Sequence, residues 1–237
     1  MKGKLLYEGK AKKVYTVEGN DAQLILSYKN DATAFNGQKK ANFEGKGKYN
    51  NLIAAKVFEF LHAKGVATHF ERSLNDTEQL VQKTNIVPLE VIVRNIAAGS
   101  ITRRIGIAEK TVFDPPLVEL CYKKDEFGDP VINDQHALIL TDITEKELQQ
   151  MKETALTING YLKEFFLSVN LTLADFKLEF GRNANGEIVL ADEISPDTCR
   201  LWDTETGEKM DKDVFREDLG DLLDVYDKIL KRLEAAK

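Results

Sequence analysis

The chain opens with short segments in which apolar and polar residues alternate, as they do in strands that bury one face. Lys4–Glu8, Lys13–Glu18 and Gln23–Tyr28 share this pattern, and turn residues separate them. The sequence therefore predicts a β-meander for residues 1–35.

Apolar residues recur at helical spacing in three longer segments. Tyr49–Ala63 carries a broad apolar stripe, and Asp211–Leu233 carries another. Thr144–Ser168 opens on a threonine that is followed three residues later by a glutamate, which is the spacing of a capping box. We expect a helix in each segment.

A boundary between two parts of the chain is expected near a proline. Gln79–Lys83 and Val87–Arg94 have the composition of strands, and Thr84–Pro88 between them resembles a hinge, because proline restricts the residue before it. We place the boundary between a β-rich part, residues 1–86, and an α+β part, residues 87–237.

Two further segments complete the prediction of local structure. Asn95–Ser100 leads into a short helix, and Phe113–Asp134 is rich in prolines and charges and shows little periodicity. We expect the second segment to be a long irregular loop, of a kind that is often functional or mobile in a compact domain.

Charged residues occupy strand positions in the segment Leu173–Arg200. Asp175, Lys177 and Glu179 alternate with three apolar residues, so the charges share one face of the predicted strand and the apolar residues share the other. The apolar face is expected to pack against a core, and the charged face is a candidate site.

The dipeptide Asn185-Gly186 predicts a hairpin with a two-residue turn. This turn places Glu179 opposite Asp192, and two facing carboxylates call for a raised pKa or a bound cation such as Mg²⁺. A four-residue loop, Asn183–Gly186, would instead place Lys177 opposite Asp192 as a plain ion pair. Both registers stay open at this point.

Two other places have residue types suited to phosphate. Lys10 and Lys12 follow Gly9 in a turn, although the pattern is not that of a P-loop and a solvated hairpin tip has the same residues. Arg94 at a strand end, with Ser100 at a helix start, could receive a phosphate monoester, or could be a surface arginine and a helix cap.

Composition narrows the class of protein. The chain has 237 residues, of which 43% are hydrophobic, a net charge of −6 and two cysteines that lie far apart. These values favour a globular protein of the cytoplasm with small-molecule partners, and disfavour disulfides, zinc ribbons and general binding to nucleic acids. The amino terminus lacks a signal-peptide pattern, and no segment is apolar enough to cross a membrane.

Four segments together resemble the SAICAR synthetase family of purine biosynthesis: Glu8–Lys12, Val91–Ser100, Asp175–Gly181 and Asp192–Asp203. The resemblance runs from Leu5 to the carboxyl terminus. It implies an ATP- and Mg²⁺-dependent ligase that joins L-aspartate to carboxyaminoimidazole ribotide (CAIR) and releases ADP and phosphate. It also implies an α+β, two-lobed fold, kinase-like or ATP-grasp-like, with a β-rich amino-terminal lobe over a larger α+β lobe. A homodimer is the expected assembly.

The resemblance assigns roles to particular positions, with metal binding at a carboxylate pair and phosphate binding at arginines and a serine. ATP would contact Gly9, Lys10, Ala11, Lys12, Lys83, Ile86, Glu90 and Lys123; Mg²⁺ would bind Glu179 and Asp192; the ribotide phosphate would bind Arg94, Ser100 and Arg200; and Asp175, Lys177 and Asp197 would line the reacting end. Many relatives have an aspartate where this chain has Asn36, so no role is assigned there.

Two other functions remain as alternatives. A small-molecule kinase of the same architecture would transfer phosphate to a hydroxyl group and would not need aspartate. A nucleotide-binding module would bind ATP without releasing phosphate. The charged residues in strand positions favour an enzyme over such a module.

Overall fold

The first third of the chain forms one large antiparallel sheet and one small one in the computed structural model, which describes residues 1–34 and 37–236. The strands are β1 (Lys2–Glu8), β2 (Lys12–Val17), β3 (Asn20–Tyr28), β4 (Asp31–Ala34), β5 (Lys39–Asn42), β6 (Phe70–Asn75) and β7 (Glu78–Gln82). The large sheet has the order β1-β2-β3-β7-β6, and β4 pairs with β5 separately. Because β1, β2 and β3 are successive neighbours, the predicted meander is confirmed.

The second large sheet is also antiparallel and is built around two long strands. Its strands are β8 (Asn85–Ile96), β9 (Val112–Tyr122), β10 (Val131–Ile132), β11 (Leu171–Arg182), β12 (Ile188–Ala191) and β13 (Cys199–Asp203). They lie in the order β10-β9-β8-β11-β12, and β13 also pairs with β11. The 12-residue strands β8 and β11 are therefore central to the sheet.

Helices flank these sheets and make the described fold α+β. They are α1 (Lys46–Ala63), α2 (Ser100–Ile105), α3 (Asp134–Leu140), α4 (Glu145–Leu167), α5 (Asp213–Arg216) and α6 (Leu222–Ala235). At the start of α4, the Thr144 hydroxyl accepts a hydrogen bond from the Glu147 backbone, and the Glu147 carboxylate accepts one from the Thr144 backbone. The predicted capping box is thus confirmed. No described helix is long and apolar enough to span a bilayer.

The hydrophobic core continues from the first large sheet through α1 to the second. On β11, Phe176, Leu178 and Phe180 are all buried in this core, as their alternation with charged residues predicted. The helix α4 covers the same face of the sheet with residues such as Met151 and Ile158. The opposite face of β8 and β11 is left for polar side chains.

The expected irregular loop at Phe113–Asp134 is wrong. Nearly half of this segment belongs to β9, which pairs with β8 from Leu89↔Tyr122 to Arg94↔Leu117, and β10 lies near its end. The two prolines of β9 lie beyond the Leu117 pair, where the register shifts, so the missing proline N–H groups do not interrupt the regular pairing. Pairing with the buried strand β8, which is distant in the sequence, determined the structure here, and the weak periodicity of the segment did not reveal it.

The single helix expected at Asp211–Leu233 is also wrong, because two helices, α5 and α6, share that segment. The backbone of Asp218 is left-handed, with φ 56°, and this ends the first helical stretch. The Asp221 side chain then accepts hydrogen bonds from the Leu223 and Asp224 backbone N–H groups and starts α6 as its N-cap.

Candidate active site

A cavity of about 610 Å³ opens between the two large sheets. Val14, Leu24, Leu26 and Val81 of the first sheet give it an apolar wall, and the polar face of the second sheet lies opposite. Every residue predicted for the site lines the cavity except Lys83. Those that do are Gly9, Lys10, Ala11, Lys12, Ile86, Glu90, Arg94, Ser100, Lys123, Asp175, Lys177, Glu179, Asp192, Asp197 and Arg200.

The polar wall follows from the alternation of side chains on two paired strands. On β11, Asp175, Lys177 and Glu179 share one face, and the antiparallel register pairs Asp175 with Arg94 and Glu179 with Glu90. Cross-strand neighbours lie about 5 Å apart, so this register concentrates charges of both signs on one small surface.

Neither hairpin register expected from the sequence is correct. The loop has three residues, Ala184–Gly186, and Glu179 lies opposite Ala191. The side chain of Asn183 accepts hydrogen bonds from the backbone N–H groups of Asn185 and Glu187, and Gly186 is left-handed, with φ 79°. This combination gives a three-residue loop in place of the two- or four-residue loop.

Asp192 nevertheless reaches the same cavity as Glu179, because it leaves the strand. β12 ends at Ala191, and Asp192 takes a left-handed conformation with φ 61°. This conformation is unusual for a residue other than glycine, and it costs free energy that the surroundings must offset. The two carboxylates therefore share one cavity through a backbone turn, without being cross-strand partners.

Lys12 links the first sheet to this turn. Its buried Nζ lies 2.5 Å from an Asp192 oxygen and 3.0 Å from a Glu193 oxygen. Burial alone would lower the pKa of Lys12, but the two carboxylates outweigh it and hold the pKa above its usual value. The pKa of Asp192 is correspondingly lowered against its own burial, chiefly by Lys12 and Lys177. Both groups are ionised at neutral pH.

Glu179 is the centre of a second cluster. Its buried carboxylate accepts hydrogen bonds from Lys123 and from Lys177, the latter at 2.9 Å, and Lys177 also lies 2.8 Å from Glu90. Burial lowers the pKa of Lys177, but Glu179 and Glu90 outweigh it and raise that pKa well above its usual value. The cluster thus holds fixed ammonium groups beside a carboxylate that could bind a metal ion.

Asp175 joins two arginines in a third cluster. One oxygen lies 2.6 Å from Arg94 and 3.0 Å from Arg200, and both guanidinium groups line the cavity. Arg200 is held on its other side by Asp213, at 2.7 Å from its Nε. Paired guanidinium groups with fixed orientation are well suited to a phosphate or a carboxylate.

Gly99 explains how Arg200 comes so close to the backbone near Ser100. A Cβ atom at Gly99 would lie 2.3 Å from Arg200 Nη2, and the φ of Gly99 is 66°. Glycine is therefore favoured here by its backbone conformation, and a Cβ would require the Arg200 guanidinium to shift. Ser100, the next residue, lines the cavity with Arg94 and Arg200.

A fourth cluster surrounds Asp197. Its carboxylate accepts hydrogen bonds from Lys46 at 2.7 Å, from Lys212 at 3.0 Å and from the Tyr226 hydroxyl at 2.6 Å. Burial would raise the pKa of Asp197, but Lys212 and Lys46 hold it well below the usual value. Burial, aided by Lys46, lowers the pKa of Lys212 despite the attraction of Asp197.

The glycine turn between β1 and β2 borders the mouth of the cavity. The Gly9 backbone N–H donates to the Lys12 carbonyl, and the Lys10 ammonium lies 2.7 Å from Asp125. Asp125 belongs to a short 3-10 turn, Asp125–Phe127, which follows β9. The glycine turn thus contacts, through Lys10, a segment that follows a strand of the second sheet.

Between the two sheets, in residues 82–86, which overlap the predicted hinge, some side chains face the cavity and others do not. Gln82, Thr84 and Ile86 line the cavity, whereas Lys83 is exposed and its side chain does not. The Lys83 backbone N–H donates to Ala22 of the first sheet. Asn36, to which no role was assigned, lies outside the described residues.

The carboxylates of Glu179 and Asp192 fit a Mg²⁺ ion that takes its remaining ligands from a bound substrate. Among the described residues, no group of three or more histidine, cysteine or acidic side chains could form a metal cage. Glu179 and Asp192 line the same cavity, and lysine ammonium groups now neutralise both. Mg²⁺ commonly uses one or two carboxylates and takes its other ligands from phosphates and water.

Sequence reasoning missed several side chains of the site: His69, Glu193, Lys212 and Arg216 line the cavity, and Lys46 and Tyr226 support Asp197. Glu193 could have been found, since it follows Asp192 directly. Lys46 lies 151 positions from its partner, and no local pattern distinguishes it from an ordinary surface lysine of a helix.

A wide cleft with one apolar wall and one wall of paired lysines, arginines and carboxylates defines an α+β enzyme that handles anionic, phosphorylated substrates. The family model described as SAICAR synthetase matches residues 5–233. The chain belongs to the SAICAR synthetase family.

Individual relatives agree with this assignment. A phosphoribosylaminoimidazole-succinocarboxamide synthase from Oceanobacillus iheyensis is 62% identical over 234 residues, covering 99% of each chain. A type-2 SAICAR synthetase structure in complex with ADP matches with a TM-score of 0.94 and 47% identity, covering 98% of each chain. The corresponding enzyme structure from Ehrlichia chaffeensis matches with a TM-score of 0.95 and 42% identity over 99% of this chain and 100% of that one.

Proposed function

We propose that this chain condenses CAIR with L-aspartate to form SAICAR, ADP and phosphate, the reaction of the family to which it belongs. A carboxylate is a poor electrophile, so one of its oxygens must become part of a leaving group before an amine can attack. Phosphoryl transfer from ATP to the CAIR carboxylate gives an acyl phosphate. The amine of aspartate then attacks the carbonyl carbon, and phosphate leaves.

ATP is proposed to bind between the sheets with its adenine against the apolar wall. Val14, Leu24 and Val81 offer this surface, and the segment from Lys83 through Ile86 to Glu90 borders it. Gly9, Lys10, Ala11, Lys12 and Lys123 would contact the phosphates. Use of ATP is supported by the ADP complex of the related structure. In this proposal the chain has two kinase-like lobes, residues 1–86 and 87–237.

Glu179 and Asp192 would hold Mg²⁺ together with the nucleotide phosphates. When bound, the ion would neutralise charge on the transferred phosphoryl group. Lys12, Lys123 and Lys177 already surround these carboxylates, so they can move from the protein oxygens to the phosphate oxygens as the substrate enters. The protein thus contributes position and charge compensation.

Arg94, Ser100 and Arg200 are proposed to bind the phosphate of CAIR, and Asp175, Lys177 and Asp197 to line the reacting end. Asp175 and Asp197 are the carboxylates at this end that could accept the proton of the amine. The lowered pKa of Asp197 makes its carboxylate a weak base for this step. Positioning of the two lysines beside it is the role that its contacts support better.

The observation that carries the proposal is that the clusters around Lys12, Glu179 and Asp175 open into one cavity. Cations for two phosphorylated substrates, and carboxylates for a metal ion, thereby lie within reach of one another. A homodimer remains the proposed assembly on the strength of the resemblance, and the cytoplasm remains the proposed location on the strength of the chain's composition.

The experiment is steady-state ADP release with ATP, Mg²⁺ and CAIR, with and without L-aspartate, and with the product mass measured. We expect one ADP for each molecule of a product whose mass equals CAIR plus aspartate minus water. Sustained ADP release without aspartate, with a phosphorylated product, would establish the kinase alternative. ATP binding without phosphate release in any mixture would establish a binding module.

A further inference from the structure

His69 lies behind the proposed metal site and is not among the residues that the sequence singled out. It precedes β6, is almost completely buried, and its ring Nε2 lies 3.0 Å from the backbone oxygen of Asp192. A carbonyl oxygen can only accept a hydrogen bond, so Nε2 carries the proton and donates it. The imidazole ring is therefore bound to Asp192, the first residue after the end of β12.

The backbone of His69 is fixed from both sides. Its N–H donates to the Leu190 carbonyl at 2.8 Å, and its own carbonyl accepts from the Gln82 N–H at 2.6 Å. Thr68 forms a parallel bridge with the same Leu190. His69 is thus attached both to β7 of the first sheet and to β12, two residues before Asp192.

The ring is held in its turn by an aromatic neighbour. Its centroid lies 5.6 Å from that of Phe58 on α1, in an edge-on arrangement. With backbone and ring both fixed, the donor atom has little freedom to follow a moving partner. It is suited to hold one particular position of the Asp192 carbonyl.

Asp192 needs such a hold, because its left-handed conformation is unfavourable for a residue with a side chain. Lys12 binds its carboxylate from the first sheet, and His69 binds its carbonyl from the same side of the cavity. The next residue, Glu193, shares Lys12 and is also bound by the Ser195 hydroxyl. The direction of both carboxylates thus depends on the backbone at Asp192.

We infer that His69 is a positioning residue for the metal–nucleotide end of the site: its ring N–H holds the Asp192 carbonyl, and so keeps Asp192 in the left-handed turn that directs its carboxylate into the cavity. This inference rests on the proposed role of Asp192 in binding Mg²⁺. A ring that only filled the core would be replaceable by an apolar side chain of similar volume.

The test measures how much Mg²⁺ strengthens ATP binding, as the ratio of dissociation constants in EDTA and in Mg²⁺ by titration calorimetry. The variants are His69→Leu, which removes the donor, and His69→Gln, whose amide nitrogen can take the place of Nε2. Residues that orient metal ligands contribute about 10- to 100-fold to metal affinity. We expect His69→Leu to reduce the ratio by about tenfold or more, and His69→Gln to retain most of it.

Matched variants separate the possible failures. His62→Leu is the control, since His62 bonds to Thr68 and lies near Phe70 but does not contact Asp192. If His69→Leu does not fold, His69→Asn replaces it, because its amide is too short to reach the Asp192 carbonyl. A ratio unchanged in the donor-less variant, or lost equally in His69→Gln, would overturn the inference.

Asp192→Asn in the same assay tests the proposed metal site itself. If this variant keeps the wild-type ratio, Asp192 is not a metal ligand, and the proposed function loses that residue whatever His69 does. If Mg²⁺ no longer strengthens ATP binding in Asp192→Asn but still does so in His69→Leu, only the inference about His69 fails.

Discussion

Individual charged residues in the cleft have more than one partner, and this is how the fold tolerates burying them. Glu179 has Lys123 and Lys177, Asp175 has two arginines, and Asp197 has two lysines and a tyrosine. A buried charge that lost its only partner would be strongly destabilising. Shared partners allow a substrate to replace one contact while another remains.

Replacing Glu179 with glutamine should lower kcat by about 100-fold or more, because the proposed metal site loses one of its two carboxylates. The fold should persist, since the amide keeps the shape of the side chain and Lys177 retains Glu90. Steady-state kinetics and a thermal melt measure the two effects. Glu164→Gln, at an exposed ion pair with Lys64, is the control; wild-type turnover in Glu179→Gln would remove this residue from the metal site.

Asp213 should act on substrate binding through Arg200. Its buried carboxylate accepts from Arg200 at 2.7 Å and from Arg216 at 2.5 Å, so Asp213→Asn frees both guanidinium groups to shift. We expect the KM for CAIR to rise about tenfold, with a smaller change in kcat. Asp218→Asn breaks an exposed pair with Lys39 and serves as control. An equal KM change in both variants would contradict this role.

At the scale of elements, the site depends on where strands and helices end. β12 stops one residue before Asp192, and a glycine precedes α2 where Arg200 approaches. The alternation on β11 and the capping box of α4 follow from local sequence, and both were predicted. The hairpin register was not, because the Asn183 side chain bonds to the loop backbone and selects a three-residue turn.

Two glycine-to-alanine variants distinguish the effect of backbone strain on stability from the effect of displacing Arg200 on substrate binding. Gly99 and Gly186 both have positive φ, but a Cβ at Gly99 meets Arg200, whereas one at Gly186 meets open space. Both alanine variants should lose stability, by about 1 kcal/mol or more. Only Gly99→Ala should raise the KM for CAIR. A normal KM in folded Gly99→Ala would show that the position of Arg200 does not matter for this substrate.

The link between α4 and the end of β11 should give a distinct pH dependence. Arg182 and the start of α4 lower the pKa of Glu147 to about 2, from 4.5. A lowered folded-state pKa means that the stabilisation is complete above pH 4.5 and is lost as the pH falls toward 2. Glu147→Gln should therefore cost about 0.5–1 kcal/mol at pH 7, because solvent screens this ion pair, and the difference from wild type should narrow in acid.

Urea unfolding at several pH values measures this difference in the free energy of unfolding. Glu153→Gln, on the same helix, is the control, since the described contacts of the Glu153 side chain include one hydrogen bond, from Gln149, and no ion pair. A difference between Glu147→Gln and wild type that stayed constant from pH 7 into acid would contradict the assigned ion pair with Arg182.

At the scale of the whole molecule, the site forms where two sheets face each other. Lys12 and Asp192 are 180 positions apart in the chain, yet they make one of the closest contacts of the cleft. Residue types and strand faces in the sequence pointed to Lys10, Lys12, Arg94, Ser100 and the charged face of β11, whereas Ile86, Glu90 and Lys123 came from the family resemblance. The pairing of β9 with β8 and the burial of Lys46 depend on distant partners and could not be read from the sequence. The break before α6 is local, at Asp218 and Asp221, but the continuous apolar stripe concealed it.

The most direct test of the account follows the oxygen atoms of the CAIR carboxylate. If ATP activates this carboxylate as an acyl phosphate, one carboxylate oxygen must leave with the phosphate when aspartate attacks. With CAIR labelled by ¹⁸O at both oxygens of its carboxylate, we expect one ¹⁸O atom in each phosphate released, measured by mass spectrometry. Phosphate free of ¹⁸O, formed together with SAICAR, would contradict it.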